Sequence, residues 1–234
     1  MLSLGSSPMN DLAKSRAAER AIQFVESGQV VGLGTGSTAA FAIQGLGRLV
    51  KQGLKITGVP TSTRSERIAR ELGIPLVTLN DCPRVDITID GADQIDDRFD
   101  MIKGGGGALI REKLVAIASD REIIVVDESK LVSRLGVSVA LPVEVLQFAW
   151  RLSSRLLAEL GCVPKLREAA GLPFESDNGN YILDCDFGAI ADPRSLETSI
   201  RQVPGVVESG LFVGLAHTVV IGSESGVEVR NRQD

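Results

Sequence analysis

Residues 29–40 read QVVGLGTGSTAA: an apolar run, a turn with three glycines and three hydroxyl side chains, and the small residues of a helix start. A short apolar run bounded by turn signals suits a buried strand. A strand, a glycine loop and a helix in that order form the first half of a βαβ crossover. The expected strand is 29–33. Three further runs of the same kind are 55–59, 85–89 and 122–126, and they are followed by PTST, DGAD and DESK. From residue 10 to about 130, helix-like and strand-like segments alternate, which predicts a Rossmann-like α/β domain: a parallel sheet covered by crossover helices. Ligands of open parallel sheets sit outside the carboxyl ends of the strands, so GTGST, PTST, DGAD and DESK are expected to converge on one place.

Past Leu141 the texture changes. LPVEV, a helical stretch to Leu160, a strand near 164–168 and DNGN leading into 181–185 precede Asp192-Pro193, which reads as an N-cap followed by a first-turn proline. That helix is expected to run to about Val203, with another strand over 205–212. Asn178-Gly179 is a strong hairpin signal. The order βαββαβ predicts a smaller ferredoxin-like α+β domain over 140–212, inserted into a larger domain formed by 10–139 and 213–234. The first eight or so residues read as a loose leader.

With 234 residues the chain can bury a substantial core. Its 44% hydrophobic and 24% charged residues exclude a disordered or fibrous class. A net charge of -5 offers no long-range attraction to nucleic acid or to anionic lipid, and no stretch approaches a membrane span. An anionic substrate therefore needs a local positive pocket. Cys82, Cys162 and Cys185 form no CxxC pair, and their odd number fits reduced thiols in the cytosol. The single His217 lies far along the chain from the strand-end loops. No His, Cys, Asp or Glu cluster has metal-ligand spacing, so no metal and no cofactor is expected.

Within the loops, Thr35, Gly36, Ser37 and Thr38 offer backbone N–H groups and hydroxyls suited to an anion. The motif is neither a Walker loop nor GxGxxG, and a tight turn alone would use the same glycines. In 61–63, Thr63 and Glu66 read as a capping box. In VDITIDGAD, Val85, Ile87 and Ile89 share one face, which leaves Asp90 at the strand end and Asp93 three residues on. Carboxylates this close perturb each other, although a turn can also hold Asp for local hydrogen bonds. KGGGG, 103–107, leads into ALIREKLVAIAS, where Ile110, Leu114 and Ile117 read as a core stripe and Glu112 lies opposite, near Ala108, Val115 and Ala116. Small apolar neighbours are expected to raise the pKa of Glu112 toward that of a working base; a first-turn acid also suits the helix dipole. Arg111 and Lys113 read as solvated. Lys103 and Lys130 sit in loops near the expected crevice, as substrate contacts or as ordinary surface lysines.

Seven ordered motifs, GLGTGSTA, DITIDGAD, KGGGGALIREK, VVDESKLV, LPVEV, DNGNYILD and PGVVESGLF, resemble the type A ribose-5-phosphate isomerases from about Asp11 to the end. The resemblance implies a large α/β domain plus a ferredoxin-like one, and conversion of ribose 5-phosphate to ribulose 5-phosphate through an enediolate without metal. By motif, Glu112 resembles the base that moves a proton between C2 and C1. Asp90 and Asp93 resemble residues that handle ring opening and hydroxyl protons, and Lys103 and Lys130 those that steady oxyanion and substrate. Gly91, Ala92, Gly104, Gly105 and Gly106 complete the implied substrate contacts, with Thr35 to Thr38 at the phosphate and Lys14 reaching it from the first helix. A homodimer is implied as well. The family often has KGGGA where this chain has Gly107.

Two other readings remain open at this stage: an isomerase for another sugar phosphate, since strand-end loops set substrate choice, and a sugar-phosphate sensor. Glu112, Asp90 and Lys103, together with the lack of a basic helix-turn-helix, count against the sensor.

Overall fold

The computed structural model describes residues 8–233. The expected leader falls outside them except for Pro8, which opens the helix Pro8–Ala21. The chain forms two compact units, Met1–Gly91 with Leu114–Lys130 and Ala216–Asp234, and Ala92–Lys113 with Leu131–Leu215. The segments 92–113, 131–139 and 213–215, read from the sequence as part of the larger domain, thus belong to the second unit.

The first unit is built on a six-stranded sheet in the order Val227–Asn231, Thr218–Gly222, Glu122–Asp127, Ile87–Asp90, Val30–Leu33, Thr57–Pro60. Only the Val227–Asn231 edge is antiparallel. All four apolar runs are strands, displaced by no more than two residues from their expected bounds. Val31, Leu33, Ile87, Ile89, Ile123 and Val125 lie in the main core with Ala42, Ile43 and Leu46 of the helix Ser37–Lys51. Each of these Val, Leu and Ile side chains contributes about 1.5–3 kcal/mol when fully buried. Near the carboxyl end of the sheet, a Cβ on Gly222 would lie 1.9 Å from the Ala13 carbonyl oxygen, so the first helix passes close to this strand end. The helix Thr63–Glu71 is capped by Ser62, reciprocally with Ser65, and not by the expected Thr63–Glu66 box.

The second unit holds a four-stranded antiparallel sheet in the order Val206–Ser209, Leu141–Val145, Tyr181–Asp186, Val163–Leu166. With the helices Trp150–Ala158 and Pro193–Arg201 it has the expected βαββαβ order. Asp192 accepts from Ser195 N at 3.1 Å and Pro193 opens the helix, as the sequence predicts. The run expected as one strand over 205–212 is two: Val206–Ser209 here, and Leu211–Phe212 in a three-stranded sheet with Met101–Ile102 and Gln94–Ile95.

The helix Leu109–Ala118 corrects the sequence in one respect. Leu114 and Ile117 are exposed, at 53% and 60%, while Leu109, Glu112, Lys113, Val115 and Ala116 are buried. The expected core stripe thus faces outward, and the face carrying Glu112 and Lys113 faces inward. Hydrophobic periodicity misleads here because the buried face carries charges matched by residues far along the chain.

Candidate active site

In the first unit, the turn after Val30–Leu33 closes on Asp90. Gly34 N donates to Ile89 O at 3.0 Å, and Thr35 N to Asp90 Oδ1 at 2.9 Å. Gly91 N donates to the same oxygen at 2.7 Å. The Asp90 side chain is fully buried. A Cβ on Gly34 would lie 2.3 Å from Asp90 Oδ1 and 2.5 Å from its Cα, so only glycine lets this loop and this strand end meet. The Thr35 hydroxyl is 2.7 Å from Thr61 Oγ1 and donates to Ser62 Oγ at 2.8 Å. GTGST and PTST are therefore joined by side-chain hydroxyls, and Thr61 and Ser62 are site candidates that the sequence signalled only as part of PTST.

Gly36 is the N-cap of Ser37–Lys51 and supplies no capping side chain. Ser37 is exposed and Thr38 buried. At the fourth strand end, Asp127 Oδ1 accepts from Ser129 N at 3.0 Å and from the Ser129 hydroxyl, which shapes the turn Glu128–Lys130. Asp127 Oδ2 is buried with no hydrogen-bond partner among the described residues. A buried oxygen left open at a strand end is a site signal that DESK alone did not give. Lys130 is half-buried, and Lys14 is buried on the first helix.

In the second unit, Asp93 N donates to Ile102 O at 2.9 Å, and Asp93 Oδ2 accepts from Gly105 N at 2.7 Å. A Cβ on Gly105 would lie 2.6 Å from Asp93 Oδ1. Ala92 is half-buried, while Gly105 and Gly106 are exposed. Lys103 Nζ lies 2.9 Å from Glu112 Oε1, and the two side chains are only 1% and 5% exposed. A buried pair of this kind makes each partner dependent on the other, because removing one leaves an uncompensated charge at a cost of about 3–5 kcal/mol.

A second buried pairing stands beside it. Lys113 Nζ is 2.9 Å from Glu197 Oε1 and 2.8 Å from Glu208 Oε1. The ammonium groups of Lys103 and Lys113 lie 5.4 and 5.0 Å from the centroid of the Phe212 ring, within cation–π range. Burial pushes the Glu208 carboxyl up, but the charge and hydrogen bond of Lys113, the Ser209 N–H and Arg201 outweigh it and leave the group below the usual carboxylate range. Lys113, expected in solvent, instead locks the first turns of the helix that carries Glu112.

Chemically, the second unit presents a buried carboxylate, an ammonium group in contact with it and a hydrogen-bonded aspartate. The first presents a buried aspartate, a hydroxyl cluster and a helix N-terminus open to an anion. Among the described residues, no group of three or more His, Cys, Asp or Glu side chains is placed to hold a metal ion, and no helix is long and apolar enough to cross a membrane.

A family model described as ribose 5-phosphate isomerase A (phosphoriboisomerase A) matches residues 57–226. Ribose-5-phosphate isomerase A of Gloeobacter violaceus is 54% identical over 220 residues, covering 94% of this chain and 96% of its own. The protein of the same name from Parvibaculum lavamentivorans is 49% identical over 226 residues, covering 94% and 97%. Among solved structures, ribose 5-phosphate isomerase from Plasmodium falciparum superposes with a TM-score of 0.93 at 41% identity, covering 96% of this chain and 100% of its own. A D-ribose-5-phosphate isomerase in complex with phospho-erythronic acid gives 0.91 at 38% identity, covering 94% and 98%. With a family model over residues 57–226 and about half of the residues identical over 94% of its length, this chain belongs to the ribose 5-phosphate isomerase A family.

Proposed function

We propose that this chain interconverts D-ribose 5-phosphate and D-ribulose 5-phosphate by metal-independent proton transfer through an enediolate, with Glu112 as the base. The observation that carries the reading is the buried Lys103–Glu112 pair at 2.9 Å. Isomerisation requires removal of a weakly acidic carbon proton while negative charge grows on the neighbouring oxygen. A carboxylate takes the C2 proton and returns it to C1, and an ammonium group beside it neutralises the developing oxyanion. Lys103, paired with Glu112 in the structure, is the proposed partner of the enediolate oxygen during turnover.

The phosphate is assigned to Gly36, Ser37 and Thr38, where the helix N-terminus lacks a side-chain cap. Thr35 positions that loop, and Lys14 and Lys130 supply positive charge. Asp90 and Asp93 handle ring opening and hydroxyl protons, Asp93 from its hydrogen bond to Gly105 N. Gly91, Ala92, Gly104 and Gly106 complete the proposed substrate contacts. The phosphorylated sugar acid held by a relative supports this chemistry, since its planar carboxylate imitates a planar enediolate.

A cytoplasmic homodimer acting in pentose phosphate metabolism completes the proposal. The three cysteines are free thiols. The outward Leu114 and Ile117 give a second copy an apolar stripe to cover.

The test is turnover of ribose 5-phosphate by chelator-treated protein and by Glu112→Gln. Wild type is expected to work without added metal. The variant is expected to keep KM within a few-fold and lose about 10²–10⁴ in kcat. Near-normal kcat in Glu112→Gln overturns the base assignment.

A further inference from the structure

Arg167 follows the strand Val163–Leu166, more than fifty residues from the glycine loop in sequence, yet its guanidinium reaches that loop. Its Nε and Nη2 donate to Asp184 Oδ2 and Oδ1 at 3.0 and 2.5 Å, a two-point carboxylate contact that fixes the plane of the guanidinium. The remaining nitrogen, Nη1, donates to two successive backbone carbonyls, Gly104 O at 2.8 Å and Gly105 O at 3.1 Å. The Arg167 side chain is 15% exposed; its contacts to Asp184 and Gly104 O are partly buried, and the one to Gly105 O lies at the surface.

Peptide geometry turns those contacts into an effect on the site. In a trans peptide, the carbonyl of one residue and the N–H of the next point in opposite directions within one plane, and no peptide here is cis. Drawing Gly104 O toward the guanidinium therefore turns Gly105 N–H the other way, and on that side Asp93 Oδ2 accepts it at 2.7 Å. Holding Gly105 O fixes the next plane and turns Gly106 N–H away from the guanidinium in the same manner. Glycine has no Cβ to restrain either plane, so a run of glycines needs an outside hold to keep one orientation.

We propose that Arg167, clamped by Asp184, is a positioning residue for the isomerisation. It sets the Gly104–Gly105 and Gly105–Gly106 peptide planes so that Gly105 N–H keeps the Asp93 carboxylate in its working orientation. The proposal rests on the assignment of Asp93 to substrate proton handling. Lysine cannot replace this arginine, because a single ammonium cannot hold a carboxylate at two points and two carbonyls at once.

The experiment is a double-mutant cycle in kcat with Arg167→Lys and Asp93→Asn, supported by Arg167→Ala with and without added guanidinium. Arg167→Lys is expected to melt close to wild type, to lose about 10- to 100-fold in kcat, the scale of a misplaced catalytic group, and to change KM less than kcat. The double variant is expected to be no slower than Asp93→Asn alone, because Arg167 acts through Asp93. Guanidinium is expected to restore part of the kcat of Arg167→Ala and none of that of Asp93→Asn. Losses that multiply in the double variant, or wild-type kcat in Arg167→Lys, overturn the proposal and leave the role of Asp93 standing. Full turnover in Asp93→Asn overturns the role of Asp93, and the proposal with it.

Discussion

The loops GTGST and KGGGG are built alike around their aspartates and differ in what holds them. Each gives one backbone N–H to an aspartate of DGAD, Thr35 N to Asp90 and Gly105 N to Asp93. Each also has a glycine where a Cβ would strike that carboxylate, 2.3 Å from Oδ1 at Gly34 and 2.6 Å at Gly105. The first loop is tied by neutral hydroxyls, Thr35 to Thr61 and Ser62. The second is tied by charge: Arg167 on its carbonyls, the Lys103–Glu112 pair from its first residue, and the Lys113–Glu197/Glu208 pairs on the helix that follows it. A pair of aspartates three residues apart can thus be seated by the same backbone device and supported by different forces.

The largest stability loss follows from disturbing the charged side. Lys113→Met takes the buried partner from Glu197 and Glu208 and leaves them only the half-exposed Arg201, and it is expected to cost about 3 kcal/mol in urea unfolding, the low end for a broken buried pair. A loss under about 1 kcal/mol, the scale of a surface ion pair, erases the distinction between the loops.

The two glycines separate the loops further. At Gly34 an added methyl meets the Asp90 backbone as well as its carboxylate, so Gly34→Ala is expected to cost about 1–3 kcal/mol of overpacking, measured by thermal melting. At Gly105 it meets only the end of the Asp93 side chain, which can swing aside. Gly105→Ala is expected to melt near wild type and lose turnover instead, by about 10-fold or more as Asp93 is displaced. Equal melting shifts for the two variants run against this contrast.

The smallest effect belongs to the hydroxyl side. Thr35→Val removes two neutral hydrogen bonds, but Thr61 still donates to Leu33 O and Ser62 still pairs with Ser65, so the loss is expected at about 0.5 kcal/mol for each bond. It is expected to show mainly as a several-fold rise in KM with little change in melting temperature, read by steady-state kinetics alongside calorimetry.

Much of this was legible in the sequence. The four strands announced themselves because each apolar run ends at glycine, proline or aspartate, and the Asp192-Pro193 helix start followed from cap chemistry alone. The facing of Leu109–Ala118 did not. Ile110, Leu114 and Ile117 give a clean helical period, and only the far-off Glu197 and Glu208 reveal why Lys113 turns inward. Arg167 was invisible for the same reason, since its carbonyl partners lie 62 and 63 residues away and carry no side chain to mark them. Local pattern fixes where elements start and stop, whereas a buried charge is explained only by partners that the fold brings to it.

Lys103 and Lys113 share the Phe212 ring and are both withdrawn from water, and this has a thermal consequence. Hydration of charged groups becomes less favourable on warming, so the cost of keeping these ammonium groups dry falls as temperature rises, while the hydrophobic contribution per unit area levels off. The pairs that hold Lys103 and Lys113 are therefore expected to lose less of their cohesion on warming than they would if they were solvated surface pairs.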